Sequence, residues 1–257
     1  MSVIDVKVPA RLVPLETAFN LRDLGGYPTA EGRTVTWGRL YRSDDLGHLT
    51  GRDLDTVRSL GLRTVLDLRS DAEVAVTTFP VAAHPVTLHH LPVLTRTWHE
   101  EEVDVLAALA DRATPYLVAR YLDLLDEGGP ALAAAVELMA RPAAQPALFH
   151  CAAGKDRTGV LAALVLSVLG VADDDIAADY TLSADAMTRR LAWLQVNDPA
   201  GAVTMAGQPA GWLAAPTDVM LTVLRHVREV HGGAESYLAD HGIDRATFDT
   251  LRYLLLT

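Results

Sequence analysis

The chain has 257 residues, half of them apolar, enough to bury a sizeable core, and we read residues 1–257 as one domain. Its formal net charge is -11, with Lys and Arg dispersed among acidic neighbours, which argues against a broad nucleic-acid-binding face and requires any anion site to be local. The single cysteine excludes an internal disulfide framework and leaves two roles for that residue, a small buried hydrophobe or a reactive thiol.

The opening segment MSVIDVKVPARLVP has no charged region followed by a long apolar stretch and no small-residue cleavage site, so no cleavable secretory signal is expected. Phe19 to Tyr27, FNLRDLGGY, leads through a turn-rich stretch into WGRLYRS, Trp37 to Ser43, a pattern that predicts a short strand or hairpin pair. Thr50 can cap a helix carrying Leu54, Val57 and Leu60 at helical spacing, and Gly61 stops it. Leu62 to Leu68, LRTVLDL, predicts a strand; HPVTLHHLPVL holds another and is followed by an acidic stretch. Helical spacing resumes from Pro115 to Asp126, and Gly128 and Gly129 predict a break before a separate helix from Pro130 to Met139.

Ala147 to Phe149 predict a brief buried strand, and Thr158 to Leu169, apolar on every face, a central helix packed on all sides. The longest apolar run, Gly159 to Ala172, is too short to span a bilayer, so the expectation is a protein without an integral membrane segment, cytoplasmic or secreted without a cleavable signal. Asp173 to Asp175 provide an acidic helix start, and the pattern continues through Tyr180, Met187 and Trp193. Asn197 to Pro216, with three prolines and three glycines, reads as a loop or mobile cover. Thr217 to His231 and Ala234 to Leu256 predict two or three amphipathic helices broken by Gly232, Gly233 and Gly242. The order of elements predicts an α/β fold, a central, mostly parallel sheet flanked by helices with a helical C-terminal part.

Strand, tight loop and helix N-terminus meet at HCAAGKDRTG, His150 to Gly159, an arrangement in which backbone can cup an anion. A phosphate monoester repels nucleophiles, so its cleavage needs charge neutralisation, an in-line nucleophile and a proton for the leaving oxygen. The five residues between Cys151 and Arg157 let the N–H groups of Ala152, Ala153, Gly154, Lys155 and Asp156 curl around phosphate while the guanidinium grips two oxygens. Gly154 supplies the backbone freedom, and the N–H array favours the Cys151 thiolate as the attacking group. The Thr158 hydroxyl can hydrogen-bond the sulfur and ease its departure, or cap the helix. His150 is expected to orient the loop, or to be an ordinary core histidine. A nucleotide-binding P-loop fits poorly, because Phe149 stands where its first glycine belongs and Asp156 where its magnesium-binding hydroxyl belongs. A rhodanese-like sulfurtransferase and a catalytically silent phosphate-binding module are the rivals that keep the thiol loop.

HCAAGKDRTG resembles the HCxxGxxR[ST]G signature of the protein tyrosine phosphatase superfamily, and GKDRTG is similar to its atypical bacterial branch of tyrosine and lipid phosphatases, found in mycobacteria. NLRDLGGY at Asn20 to Tyr27, LYRSDDL at Leu40 to Leu46, TVLDLRSDAEV at Thr64 to Val74 and YLADHGID at Tyr237 to Asp244 look like that branch in the same order. The resemblance implies a phosphatase that works through a phosphocysteine intermediate without a metal or cofactor. Its implied substrates are phosphotyrosine proteins first, then phosphoinositides and phosphoserine or phosphothreonine, reached under a helical lid that we place at Tyr180 to Pro216, with Trp193 and Trp212 in the cover.

No Trp-Pro-Asp acid loop occurs in the sequence. The resemblance therefore assigns the general acid to Asp156, with a helix-terminal surface charge as its other reading and Asp67, Asp71, Asp179 and Asp185 as alternative acids. Lys155 is expected at the mouth, as a ligand for a second substrate phosphate or as a solvated surface lysine. Asn20, Arg22, Asp23 and Arg69 are expected to brace the loop or its neighbouring strand.

Overall fold

The computed structural model describes residues 11–82, 84–94, 113–208 and 210–257. The first ten residues and the acidic stretch after Leu94 lie outside these. Five short strands form one sheet: β1 Arg22–Asp23, β2 Leu40–Ser43, β3 Thr64–Asp67, β4 Thr87–His90 and β5 Ala147–His150, in the order β1-β2-β5-β3-β4. β1 is antiparallel to β2, and the other three pairings are parallel, which bears out the mostly parallel sheet. β5 is buried along its whole length between β2 and β3. Its alternate residues serve different cores: Ala147 and Phe149 face a large cluster under most of the helices, and Leu148 packs with Tyr41, Val57 and Val65 on the opposite face.

The helices are α1 Gly51–Ser59, α2 Asp71–Val74, α3 Ala113–Met139, α4 Asp156–Val168, α5 Asp173–Asn197, α6 Pro199–Ala206, α7 Ala210–Leu213, α8 Thr217–His231, α9 Ala234–Asp240 and α10 Arg245–Leu255. Thr50 caps α1 in a capping box closed by Asp53, and Ser70 with Glu73 forms the same device at α2. α4 is buried on nearly every turn, as its all-round apolar sequence predicts. The C-terminal segment forms three helices, separated by Gly232, Gly233 and Gly242, all with positive φ.

Two expectations are corrected. The two helices predicted on either side of Gly128–Gly129 are the single helix α3. These glycines serve close packing rather than a break: a Cβ at Gly128 would lie 2.5 Å from Val93 Cγ1, and one at Gly129 2.2 Å from His241 Nε2. Pro130 is tolerated because it and Asp126, whose carbonyl loses its donor, both face solvent. The stretch Asn197–Pro216, read as a loop, contains α6 and α7. Asp198 caps α6 by accepting from Gly201 N at 3.0 Å, and Pro199 occupies the first turn, where its missing N–H has no cost.

Candidate active site

In an open α/β sheet, ligands gather at the C-terminal ends of the strands. Here the register pairs both Ser43 of β2 and Asp67 of β3 with His150 of β5, so three strands end in one row. Cys151 follows that row, and residues 151–155 turn directly into α4. Lys155, at the N-cap, has no side chain able to accept a hydrogen bond, so the first-turn N–H groups of α4 are left for an anion. Thr158 is therefore not the cap. It lies within the first turn, and its Oγ1 is buried without a hydrogen-bond partner among the described residues.

The loop carbonyls are tied from outside. Ala152 O accepts from Asp45 N and Arg190 Nη1, each at 3.2 Å, Ala153 O from Asn20 Nδ2 at 2.9 Å, and Gly154 O from Arg42 Nη2 at 2.7 Å. A trans peptide turns C=O and the next N–H in opposite directions, so these ties turn the N–H groups of Ala153, Gly154 and Lys155 toward the inside of the loop. Gly154 is required twice over. Its φ is +65°, and a Cβ would stand 2.5 Å from Ser43 O.

Behind the loop lies a buried charge network. Asp179 of α5 accepts from Arg22 Nε at 2.9 Å, Arg42 Nη1 at 2.7 Å and Tyr27 Oη at 3.0 Å, and Arg22 also grips Asn20 Oδ1. Burial opposes the charge of Asp179, but the two guanidinium groups outweigh it and hold the carboxyl well below the usual carboxylate range. Asp179 is thus a fixed anion and unsuited to donate a proton. Asp23 serves the hairpin instead of the loop, accepting from Gly25 N and Gly38 N at 2.7 Å each. Arg69 Nη2 donates to Asp67 Oδ2 at 2.7 Å and to Thr77 O at 3.0 Å, while its Nη1 meets Asp45 Oδ1 at 3.0 Å. His150 Nε2 lies 3.7 Å from Asp67 Oδ2. Burial pushes the imidazole's pKa down, with Asp67 opposing it only in part.

A cavity of about 550 Å³ opens over the loop. Cys151, Asp156 and Arg157 line it, with apolar walls from Leu94, Met187 and Leu194 and further walls from Met205, Trp212 and Leu213. Of the five aspartates considered as acids, Asp156 is the one in this lining. Asp71 and Asp185 are exposed, and Asp67 is paired with Arg69. Asp156 Oδ1 accepts from Tyr121 Oη at 2.5 Å and lies 3.4 Å from Lys155 Nζ. Lys155 is neither at the mouth nor solvated. It is 1% exposed and donates to the carbonyls of Trp212 at 2.6 Å, Ala214 at 3.0 Å and Gly211 at 3.4 Å, which joins the loop to α7 and the residue after it.

Arg157 is gripped end-on by Glu73 of α2, through Nη1–Oε2 at 2.6 Å and Nη2–Oε1 at 2.8 Å. Burial works against both charges, yet the pairing takes the Glu73 carboxyl down to about 2 and holds the guanidinium above its usual range. The end-on pairing uses one N–H from each terminal nitrogen, so the Nε–H edge of Arg157 remains for phosphate. Glu73, Arg42 and Tyr121 were not singled out in the sequence. The Glu73 capping-box position and the quoted LYRSDDL segment were visible there, but nothing in one chain marks their direction toward the loop. Among the described residues no group of three or more His, Cys, Asp or Glu side chains is placed to hold a metal ion, and no helix is long and apolar enough to cross a membrane.

A thiol at the end of a central parallel strand, an N–H cradle at a helix start and a positioned guanidinium define a cysteine-based phosphatase. The chain matches the Tyrosine phosphatase family over residues 13–257 and belongs to it. It is 30% identical to the triple specificity protein phosphatase PtpB of Mycobacterium tuberculosis, over 94% of this chain and 98% of that protein. A putative tyrosine-protein phosphatase of Cupriavidus necator is 38% identical over 64% of this chain and 60% of its own length. Among solved structures, TpbA of P. aeruginosa, in complex with pTyr, has 19% identity and a TM-score of 0.35, covering 78% of this chain and 99% of its own. The family membership makes this chain a cysteine-dependent phosphatase and sets aside the silent-module and sulfurtransferase readings.

Proposed function

We propose that the chain hydrolyses phosphotyrosine in proteins in preference to phosphoserine or phosphothreonine, and those in preference to phosphoinositides. The observation that carries this reading is the cavity lining. Leu94, Met187, Leu194 and Trp212 wall a space suited to an aromatic ring, and the cations are Arg157 and Arg190 against Glu73, Asp156 and Asp198. A ring bearing several phosphates would leave most of its charge unmet there. The M. tuberculosis relative's name, a triple specificity phosphatase, is the reason to test all three classes.

In this mechanism the Cys151 sulfur attacks phosphorus as the P–O bond breaks, and Asp156 gives its proton to the departing oxygen. The loop N–H groups and Arg157 hold the three equatorial oxygens throughout. Water then attacks the phosphocysteine, Asp156 takes up its proton, and the unpartnered Thr158 hydroxyl donates to the leaving sulfur. Asn20, Arg22 and Arg42 keep the cradle in shape, and His150 with Asp67 and Arg69 supports the strand that delivers Cys151. The whole chain serves as one domain, in which the second half of α5 together with α6 and α7 forms the cover within residues 180–216. The test is phosphate release from a phosphotyrosine peptide, a phosphoserine peptide and phosphoinositide vesicles at matched concentration. We expect kcat/KM to fall in that order by about tenfold or more at each step. Equal or faster release from the vesicles would overturn the ranking.

A further inference from the structure

Asp156 is held by more than its own loop. Tyr121, on α3 and fully buried, has one hydroxyl proton, and it points to Asp156 Oδ1 at 2.5 Å. Tyr180, on α5, lies 2.7 Å away, oxygen to oxygen. Because the Tyr121 proton is already committed to Asp156, the proton between the two phenols must come from Tyr180. The chain therefore runs in one direction, from Tyr180 through Tyr121 to the carboxylate. Burial and the charge of Asp156 push both phenol pKa values up, so each keeps its proton and remains a donor. The rings pack edge to face, 5.9 Å apart at 88°. Space for Tyr180 comes from the signature itself, since a Cβ on Gly159 would lie 3.3 Å from the Tyr180 ring.

We infer that Tyr121 and Tyr180 are positioning residues for the general acid, setting which oxygen of Asp156 carries the proton and stabilising the carboxylate as that proton leaves. The inference rests on the reading of Asp156 as the acid. With Oδ1 occupied by the Tyr121 donor and faced by the Lys155 ammonium charge at 3.4 Å, Oδ2 is the oxygen left to be protonated. As the S–P bond forms and the P–O bond breaks, the bonding pair of the P–O bond takes the Oδ2 proton. The negative charge then left on Asp156 meets a donor already in place, itself polarised by Tyr180. Nothing must reorganise at that moment. Both phenols are outside HCAAGKDRTG, one 35 residues before Asp156 and one 24 after it, so a loop motif alone cannot report them.

A positioning role of this kind shows itself in leaving-group dependence, which a general packing role does not alter. The experiment measures kcat/KM, which reports the step up to formation of the phosphocysteine, for phenyl phosphate and p-nitrophenyl phosphate. The proteins compared are wild type, Tyr121→Phe, Tyr180→Phe, Asp156→Asn and the double variant Tyr121→Phe/Asp156→Asn, each checked by thermal melting. Asp156→Asn is expected to lose about 10²-fold on phenyl phosphate and much less on the nitrophenyl ester, whose leaving group needs no proton. Tyr121→Phe is expected to lose about tenfold on phenyl phosphate and under about threefold on the other, with Tyr180→Phe between it and wild type. In the double variant the tyrosine substitution adds no further discrimination, since its route through Asp156 is gone. If Asp156→Asn discriminates but Tyr121→Phe slows both esters alike or neither, or if its effect persists in the double variant, the positioning role is overturned and the acid stands. If Asp156→Asn itself shows no discrimination, the acid assignment and this inference fall together.

Discussion

Glu73 decides how Arg157 can be used. Its two oxygens take one donor from each terminal nitrogen of the guanidinium, which fixes the plane and leaves the other edge for phosphate. The same carboxylate accepts from Ser70 N at 2.8 Å, so the clamp is anchored to the start of α2 and cannot swing freely. Removing its charge by Glu73→Gln should lower kcat/KM for aryl phosphates by about tenfold and cost about 1–3 kcal/mol of stability. The pH dependence has a definite sign. The Glu73 carboxyl is depressed from 4.5 to about 2 by folding, so its contribution is complete above about pH 4.5 and is lost as pH falls through about 2. Denaturant midpoints measured from pH 6 downward should show the gap between wild type and Glu73→Gln constant at first and then closing below about pH 4.5. A gap that widens on acidification contradicts the pairing.

The loop and its neighbouring elements show what a single sequence can and cannot reveal. That Cys151, Asp156 and Arg157 share one cavity, with Gly154 at positive φ between them, was legible because these residues are contiguous, and contiguity is what a motif records. The strand before them and the buried helix after them were legible from composition alone. Lys155 was misread because lysine is ordinarily a surface residue; its burial depends on three carbonyls supplied from 211 to 214, some 56 to 59 residues later. α6 was missed because prolines and glycines mask helical periodicity, although Asp198 before Pro199 is a start signal. The glycine pair in α3 gave the opposite error, since packing demands for a missing side chain look the same in sequence as a break. From the Lys155 contacts we expect Lys155→Met to loosen α7 and the residues that follow it. Amide hydrogen exchange at residues 211–215 should then quicken by about tenfold or more, while α4 changes little. Unchanged exchange in that segment would show that the ammonium does not hold it.

At the scale of the molecule, the site exists because strands far apart in sequence end in one row. Asp44 and Asp45 follow β2, Arg69 follows β3 and Cys151 follows β5, while α5 crosses behind to place Asp179 against Arg22 and Arg42. This is the part of the design that no local pattern contains: Asn20 before β1, Arg42 on β2 and Tyr121 on α3 reach the loop or the first residue of α4 directly, and Asp179 on α5 reaches it through Arg42. The resemblance noted over most of the chain was the one sequence signal that anticipated so wide a constellation. All of these supports surround the segment that begins at Cys151. The most direct test is phosphate release from p-nitrophenyl phosphate in reducing buffer by wild type and Cys151→Ser, with an acid quench and intact mass measured in parallel. Wild type is expected to turn over, the variant to lose at least about 10³-fold, and the quenched wild type to carry a phosphoryl adduct on Cys151. Turnover retained by Cys151→Ser, or a wild type that releases no phosphate, would contradict the phosphocysteine mechanism.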